Sequence, residues 1–85
     1  MRFEWDPKKA KRNLRKRAVA FDEAVIVFYD SLSATFDDPD HSIGEHRYIT
    51  IGFSSGDRLL VVWQTERGEV LRIINARPAT AHEKT

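Results

Sequence analysis

The segment LLVVWQTERGEVLRIINA, at residues 59–76, decides the fold of this chain because it has the pattern of two strands joined by a tight turn. Apolar and β-branched residues fill both of its arms, which we take as strands over Arg58–Thr65 and Val70–Ala76. The polar segment between them, Glu66–Glu69, contains a glycine where a tight hairpin needs a positive φ. The sequence therefore predicts an antiparallel hairpin.

A two-residue loop at Arg67-Gly68 gives this hairpin one register, and a three-residue loop would give another. In the two-residue register, apolar side chains lie on both faces of the hairpin. One face carries Leu60, Val62, Leu71 and Ile73, and the other carries Leu59, Val61, Trp63, Val70 and Ile74. Antiparallel sheets usually expose one face to water, so each of these faces needs a cover. We expect the N-terminal helices on one side, and a C-terminal helix or another protein chain on the other.

Two more strands are predicted before the hairpin, at Ser31–Asp37 and at Tyr48–Phe53. A polar loop over Asp38–Gly44 separates them, and the turn Ser54–Asp57 leads into the hairpin. Together with the hairpin, they form a predicted antiparallel meander of four strands. The tail after Pro78 is predicted to form a short helix.

Two helices are predicted before the first strand. The first begins at Asp6-Pro7, since aspartate caps free backbone N–H groups and proline suits the first helical position. It runs to Ala18, with Ala10, Leu14 and Ala18 as a narrow apolar stripe. The second starts at Asp22, and although its β-branched run could form a strand, acidic residues at its start favour a helix. The sequence predicts an α+β fold, with two N-terminal helices packed on a four-stranded antiparallel meander sheet and a short C-terminal helix.

Length and composition restrict the classes of protein that fit. With 85 residues, the chain is expected to form one domain over residues 1–85. It has no cysteine, which excludes disulfides, zinc ribbons and thiol catalysis, and its apolar runs are too short for a membrane helix. No histidine spacing suggests a metal site, and no glycine pattern suggests a phosphate loop. We therefore expect a cytoplasmic protein with no cofactor.

The small net charge of +1 hides a strong asymmetry along the chain. Residues 1–18 contain eight basic and two acidic side chains, a net charge of +6, whereas residues 19–85 carry a net charge of −5. Such a split suggests that the basic end binds a polyanion or an acidic partner. A solvated surface helix is the alternative, and the sequence does not decide between the two.

Four arginines near the sheet are the main candidates for chemistry: Arg47, Arg67, Arg72 and Arg77. The planar guanidinium group suits phosphate, so a cluster of them would bind a phosphodiester. Arg72 also has a structural interpretation, because the two-residue register places it opposite Trp63 in a cation–π contact. Arg77, at a strand end before Pro78, fits a functional role better. Glu66 could form a salt bridge in the turn or act as a general base.

Four segments together resemble the BrnT toxins of bacterial type II toxin–antitoxin systems. They are FEWDPKKAKRNLRKR at residues 3–17, VAFDEAVIVFYD at 19–30, GEHRYITIG at 44–52, and the hairpin segment extended to Thr80. They cover nearly the whole chain in the family's order, and TERG followed by RIINAR is the most specific part. The resemblance implies a fold similar to the RelE-type ribonuclease toxins, with N-terminal helices on an antiparallel sheet.

The resemblance also implies a function. It indicates a metal-independent, RNA-cleaving toxin that inhibits translation, in which basic side chains stabilise charge as the 2′-OH attacks the adjacent phosphate. The implied partners are RNA, the ribosome and a BrnA-type antitoxin with a ribbon-helix-helix fold. This antitoxin would bind the operator DNA within a hetero-oligomer, and no membrane is involved. The alternatives are a non-catalytic module that binds nucleic acid through the basic helix, or an interaction protein that docks this helix on an acidic partner.

The family's motifs and the charge pattern together give the expected site residues. The catalytic set is Arg77, Arg67, Glu66 and Arg47. The RNA-binding set is Lys8, Lys11, Arg12, Arg15 and Arg72. Gln64 stands where many members of the family place a histidine just before TERG, so the general base is left open.

Overall fold

The structure, a computed structural model, describes residues 1–41 and 45–84 and has two α-helices beside a five-stranded sheet in these ranges. The elements are β1 (Arg2–Glu4), α1 (Pro7–Arg17), α2 (Phe21–Val27), β2 (Ala34–Asp37), β3 (Arg47–Phe53), β4 (Leu59–Arg67) and β5 (Val70–Pro78). The predicted α+β class is confirmed. Residues 42–44 of the predicted polar loop lie outside the described part. Neither helix is long and apolar enough to cross a membrane.

The sheet differs from the predicted four-stranded antiparallel meander by one additional strand, β1. It pairs in parallel with β5, so the sheet is mixed and its strand order is β1-β5-β4-β3-β2. Phe3 of β1 packs against the hydrophobic core, with its ring centroid 5.4 Å from that of Phe28. The sequence pattern missed β1 because three residues before a helix cap are too few to show strand alternation.

Helix α1 begins as predicted. The Asp6 carboxylate accepts a hydrogen bond from the Lys8 N–H at 2.8 Å, and Pro7 occupies the first turn. Ala18 caps the C-terminal end of the helix, and its left-handed backbone (φ +58°) directs its N–H to the Leu14 carbonyl. Both ends therefore have the backbone hydrogen bonds that a stable helix needs.

A buried amide anchors α1, and of the predicted apolar stripe only Ala10 packs against the core. Leu14 of that stripe is 54% exposed, whereas Asn13 is buried. The Asn13 amide donates to the carbonyl oxygens of Val19 at 2.9 Å and Ala76 at 2.8 Å. Its oxygen accepts from the Ala76 N–H at 3.2 Å. A buried amide is tolerated when its donors and acceptor are satisfied, and these bonds tie α1 to β5.

Helix α2 covers the same face of the sheet as α1. The choice of a helix over a strand is confirmed, although it starts at Phe21 instead of Asp22 because the backbone is extended only up to Ala20. The core between the helices and the sheet is the cluster Val19, Phe21, Ala24, Val27, Leu60, Val62, Ile73 and Ala76. Leu60, Val62 and Ile73 lie on one predicted face of the hairpin, and the helices cover that face.

The hairpin turn lies one residue further along the chain than the predicted loop at Arg67-Gly68. Arg67 pairs with Val70, so Gly68 and Glu69 form the turn, and Gly68 supplies the positive φ (+62°). The glycine is therefore used as predicted, but in the first loop position instead of the second.

A β-bulge then changes the pairing between β4 and β5. The register shifts between Trp63 and Gln64, and Ile74 is the extra residue on β5. Arg72 lies between this shift and the turn, and the Gly68-Glu69 turn places it opposite Thr65, so its predicted contact with Trp63 is wrong. Hydrophobic alternation does not reveal such a bulge, because a single inserted residue leaves the apolar character of both strands intact.

The predicted start of the first strand of the meander also needs correction. Strand β2 begins at Ala34, three residues after Ser31, because Asp30 closes a turn in front of it. The Asp30 carboxylate accepts from the N–H groups of Phe53 at 2.8 Å and Leu32 at 3.0 Å, which lowers its pKa.

The tail after β5 forms a single 3-10 turn, at His82–Lys84, in place of the predicted short helix. The Glu83 carboxylate accepts a hydrogen bond from the Thr80 N–H at 2.7 Å, and this bond closes a tight turn instead of a helical one. Within the described residues, the second face of the sheet therefore has no α-helix packed on it.

Candidate active site

The face of the sheet without a helix, which we call the open face, carries both aromatic and charged side chains. Side chains alternate along a strand, so residues next to core positions point to the open face. Trp63 follows buried Val62, and Arg77 follows buried Ala76. Phe53 lies on the same face and is 45% exposed.

Arg77 is held on the open face by three contacts. Its guanidinium carbon lies 5.3 Å from the centroid of the Trp63 ring. Two of its nitrogens donate to the Glu83 carboxylate at 2.7 and 2.8 Å, and one also donates to the Pro78 carbonyl at 3.1 Å. The bidentate pair raises the pKa of Arg77 and lowers the pKa of Glu83 to about 2. Both groups are therefore charged at neutral pH, and the guanidinium has a fixed position.

Arg77 lines a groove together with two other arginines, and we call this the arginine groove. Its lining residues are Arg17, Arg47, Trp63, Ile74, Asn75 and Arg77, and its volume is about 300 Å³. Arg17 is the last residue of α1, and Arg47 is the first residue of β3. The bulge contributes the neighbouring residues Ile74 and Asn75, as expected for a feature that changes the direction of side chains.

The arginine groove is strongly cationic. It has three guanidinium groups and, among its lining residues, no carboxylate and no imidazole. Glu83 balances one of the three charges from its edge through Arg77. Such a concentration of guanidinium groups suits a phosphate or another oxyanion. In residues 1–41 and 45–84, no group of three or more His, Asp or Glu side chains is arranged to hold a metal ion.

Arg72 also lies on the open face, outside the arginine groove, and forms its own ion pair. It donates to the Glu4 carboxylate of β1 at 2.8 Å. Thr65, beside it on β4, is buried, and its hydroxyl has no hydrogen-bond partner among the described residues. The contacts of Arg72 therefore agree with a structural role, although its partner is Glu4 instead of the predicted Trp63.

The other two members of the expected catalytic set lie outside the arginine groove. Arg67 is at the turn end of β4, where it forms an ion pair with Glu45 at 3.3 Å and keeps half of its side chain exposed. Glu66 is on the opposite face of the sheet and lines a separate groove with Arg2. The structure thus brings Arg47 and Arg77 together and separates Glu66 from both.

Gln64, at the position where the resemblance suggested a histidine, is buried on the covered face. Its amide donates to the Thr50 hydroxyl at 2.6 Å, and Thr50 also contacts the Thr35 hydroxyl at 2.9 Å. Because Gln64 and Trp63 are neighbours on a strand, their side chains point to opposite faces. A base at position 64 would therefore point away from the arginine groove.

The basic residues of α1 separate into two flanks. Lys9, Arg12 and Lys16 line a second groove, which we call the basic groove and which also contains Asn13, Arg17, Ile74 and Asn75. Lys8, Lys11 and Arg15 have the same three- and four-residue spacing, one position earlier, and so form the neighbouring flank. Of the expected RNA-binding residues on this helix, only Arg12 lines the basic groove.

Five residues around the arginine groove were not among the expected site residues: Arg17, Trp63, Ile74, Asn75 and Glu83. An arginine at a helix end and a tryptophan in a strand beside the candidate arginines were available signals for the first two. Asn75 enters the groove through the bulge, and Glu83 reaches Arg77 through a 3-10 turn. Neither feature has a pattern in the sequence that would have identified it.

Comparison with known proteins connects this arrangement to a family. A family model described as "Ribonuclease toxin, BrnT, of type II toxin-antitoxin system" matches residues 5–83, a range that includes all of the arginine groove. The fold is similar to the 1.1 Å crystal structure of the Brucella abortus ribonuclease toxin BrnT, with a TM-score of 0.76 and 26% sequence identity. That similarity covers 94% of this chain and 97% of the Brucella chain. No curated protein sequence matches the chain.

Proposed function

The chain belongs to the BrnT family of ribonuclease toxins of type II toxin–antitoxin systems, and from this premise we propose that its arginine groove binds and cleaves RNA. A toxin of this type has an antitoxin partner. We propose that cleavage needs no metal ion and that it inhibits translation.

The convergence of Arg17, Arg47 and Arg77 beside Trp63 is the observation that carries this proposal. The three arginines come from different elements of the fold, and an anion bound between them would reduce the repulsion between their charges. Phosphate groups match the planar donors of guanidinium, and an RNA strand supplies them in series. A phosphodiester bound between Arg47 and Arg77 is therefore the ligand that best explains the groove.

The proposed reaction is attack by the 2′-oxygen of one nucleotide on the adjacent phosphorus. The new oxygen–phosphorus bond closes a 2′,3′-cyclic phosphate, and the bond to the 5′-oxygen of the next nucleotide breaks. A base takes the proton from the 2′-OH, and an acid gives a proton to the departing 5′-oxygen. The reaction requires the 2′-OH, so DNA would not be cut.

Charge stabilisation is the role that we propose for the arginine groove. The non-bridging oxygens gain negative charge during the attack, and Arg47 and Arg77 would donate hydrogen bonds to them. One preorganised donor of this kind contributes about 10²–10³ in rate. Glu83 would act as a positioning residue, because its bidentate pair fixes the guanidinium of Arg77 before any substrate arrives. Proton removal is not assigned to the groove, since its lining residues include no carboxylate or imidazole.

The partners follow from the same proposal. We propose a BrnA-type antitoxin with a ribbon-helix-helix fold, which forms a hetero-oligomer with this chain and alone contacts the operator DNA. Exposed Phe36 and Phe53 on the open face support a protein partner, because exposed aromatic side chains often mark interfaces. The proposed substrate is RNA, free or on the ribosome, and the proposed compartment is the cytoplasm.

The test is RNA cleavage by the purified chain with EDTA present, with and without ribosomes. We expect cleavage in at least one of the two conditions, and products that end in a 2′,3′-cyclic phosphate. The variant Arg47→Ala/Arg77→Ala, purified in parallel, controls for contaminating nucleases and should leave the RNA intact. Intact RNA with the wild-type chain at high protein concentration in both conditions would overturn the proposal.

A non-catalytic nucleic-acid-binding module is the second candidate function. One observation favours it: the arginine groove provides cations but, among its lining residues, no group that could remove a proton. In that case the same assay would yield RNA that is bound but uncut. The salt dependence of binding would be steep for both candidates, so only the cleavage products separate them.

A further inference from the structure

We propose that the basic groove on α1 is a second RNA subsite, which holds the single strand that leads away from the phosphate in the arginine groove. This inference rests on the proposed function. It assigns the strand to Lys9, Arg12 and Lys16 and excludes the equally basic flank formed by Lys8, Lys11 and Arg15.

The two grooves adjoin each other. Arg17, Ile74 and Asn75 line both of them, so the end of one groove meets the start of the next at these three residues. Arg17 is placed to contact a phosphate on either side of this junction. A strand that leaves the arginine groove past Asn75 therefore enters the basic groove directly.

The charge of the basic groove suits an extended polyanion. Its lining residues include four cations and no carboxylate. Lys9 and Lys16 are seven residues apart on α1, which is about 10 Å along the helix axis and matches about two to three phosphates of a nucleic acid strand. Asn13 lies between them but is already bonded to Val19 and Ala76, so the contacts to RNA would come from the cations.

The other basic flank lacks this continuity. Lys11 borders a depression formed by apolar side chains, including Trp5, Leu14 and Phe21, and Asp22 also lines it. That depression shares no lining residue with the arginine groove. A strand in the arginine groove would have to cross α1 to reach this flank, whereas the basic groove lies directly in its path.

The two flanks provide a matched experiment because each contains three cations with the same spacing. We compare the full chain with the variants Lys9→Gln/Arg12→Gln/Lys16→Gln and Lys8→Gln/Lys11→Gln/Arg15→Gln. The probe is a single-stranded oligoribonucleotide methylated at every 2′-oxygen, so that binding is measured without cleavage. Dissociation constants are measured across a series of salt concentrations, and circular dichroism checks that both variants are folded.

The basic-groove variant should lose RNA affinity. The slope of its log affinity against log salt concentration should decrease in magnitude by about 2, since each lost phosphate contact removes about 0.7 from the slope. For the variant of the other flank, this decrease in slope should be less than half as large. Equal losses in the two variants, or a larger loss in the second, would overturn the inference, because both lose the same net charge.

The result of this binding experiment can be distinguished from the result of the cleavage test of the proposed function. If the wild-type chain cuts RNA but both variants bind the methylated probe equally, the second subsite is wrong and the function stands. If the wild-type chain cuts no RNA while the basic-groove variant alone binds more weakly, catalysis is wrong and the binding path stands. A folded variant that binds normally but fails to associate with an antitoxin would reassign the flank to a protein interface.

Discussion

On the covered face of the sheet, Leu60, Val62 and Ile73 are at most 1% exposed, whereas the open face keeps Phe53 45% exposed and holds the arginines. Strands β4 and β5 contribute side chains to both faces, and β3 adds Arg47 and Phe53 to the open face. The covered face buries apolar groups between helices and sheet, which stabilises the fold. The open face leaves its charged groups accessible, which a phosphate-binding site requires.

This difference assigns separate roles to residues that are adjacent in the sequence. Val62 and Ala76 belong to the core, and Trp63 and Arg77, the next residue in each case, belong to the arginine groove. A substitution on one face should therefore change stability, and a substitution on the other should change RNA cleavage. The following variants test how completely the two effects separate.

Leu60→Ala should have the largest effect on stability and none on cleavage per folded molecule. Its side chain is fully buried, and such a truncation costs about 2–5 kcal/mol of unfolding free energy. Chemical denaturation gives the stability, and the cleavage rate is corrected for the folded fraction. A normal unfolding free energy would show that the core is elsewhere, and a lower rate per folded molecule would show that the faces are coupled.

Asn13→Ala should lower both stability and RNA affinity, because Asn13 connects α1 to β5 at Ala76, next to Arg77. Loss of its buried hydrogen bonds should cost about 1–3 kcal/mol of unfolding free energy. RNA affinity should also fall, since the basic groove is formed between α1 and β5. Leu14→Ala, at the neighbouring exposed position, is the control and should change neither property. Unaltered stability of Asn13→Ala would mean that α1 is held by other contacts.

Glu83→Gln should have a smaller, pH-dependent effect. Because pairing with Arg77 lowers the pKa of Glu83 from 4.5 to about 2, the pair stabilises the fold fully above pH 4.5 and is lost as the pH falls through about 2. The wild-type chain should thus be more stable than the variant at neutral pH, and this difference should disappear between pH 4.5 and 2.

Thermal melts of both proteins across this pH range give the comparison. Glu45→Gln, which removes the exposed partner of Arg67, is the matched control for the loss of a carboxylate. A stability difference between wild type and Glu83→Gln that is constant down to pH 2 would contradict the ionic contribution of this pair.

Much of the covered face could be predicted from the sequence. The Asp6-Pro7 helix start, the α-helical form of Phe21–Val27 and the alternation of Leu60, Val62 and Ile73 all follow from local residue preferences and apolar spacing. These features depend on few residues that are close together in the chain. Strand β1 was one exception, because Arg2–Glu4 is too short to show a pattern and gains its pairing from β5.

Less of the open face could be predicted. Arg47 and Arg77 were expected site residues, and the structure places both in one groove. The sequence could not indicate that the Gly68-Glu69 turn places Arg72 opposite Thr65, or that a bulge at Ile74 brings Arg77 over Trp63. Such contacts depend on register, and a shift of one residue exchanges the partners of every side chain beyond it.

The most direct test of the arginine groove compares Arg77→Ala with Arg67→Ala in RNA cleavage with EDTA present. Both variants remove an arginine from the open face, but only Arg77 lines the groove, and Arg67 forms an exposed ion pair with Glu45. We predict that Arg77→Ala lowers the cleavage rate by about 10²–10³ and that Arg67→Ala stays within about fivefold of wild type. Equal rates for the two folded variants, or a normal rate for Arg77→Ala, would contradict the assignment of the groove as the catalytic site.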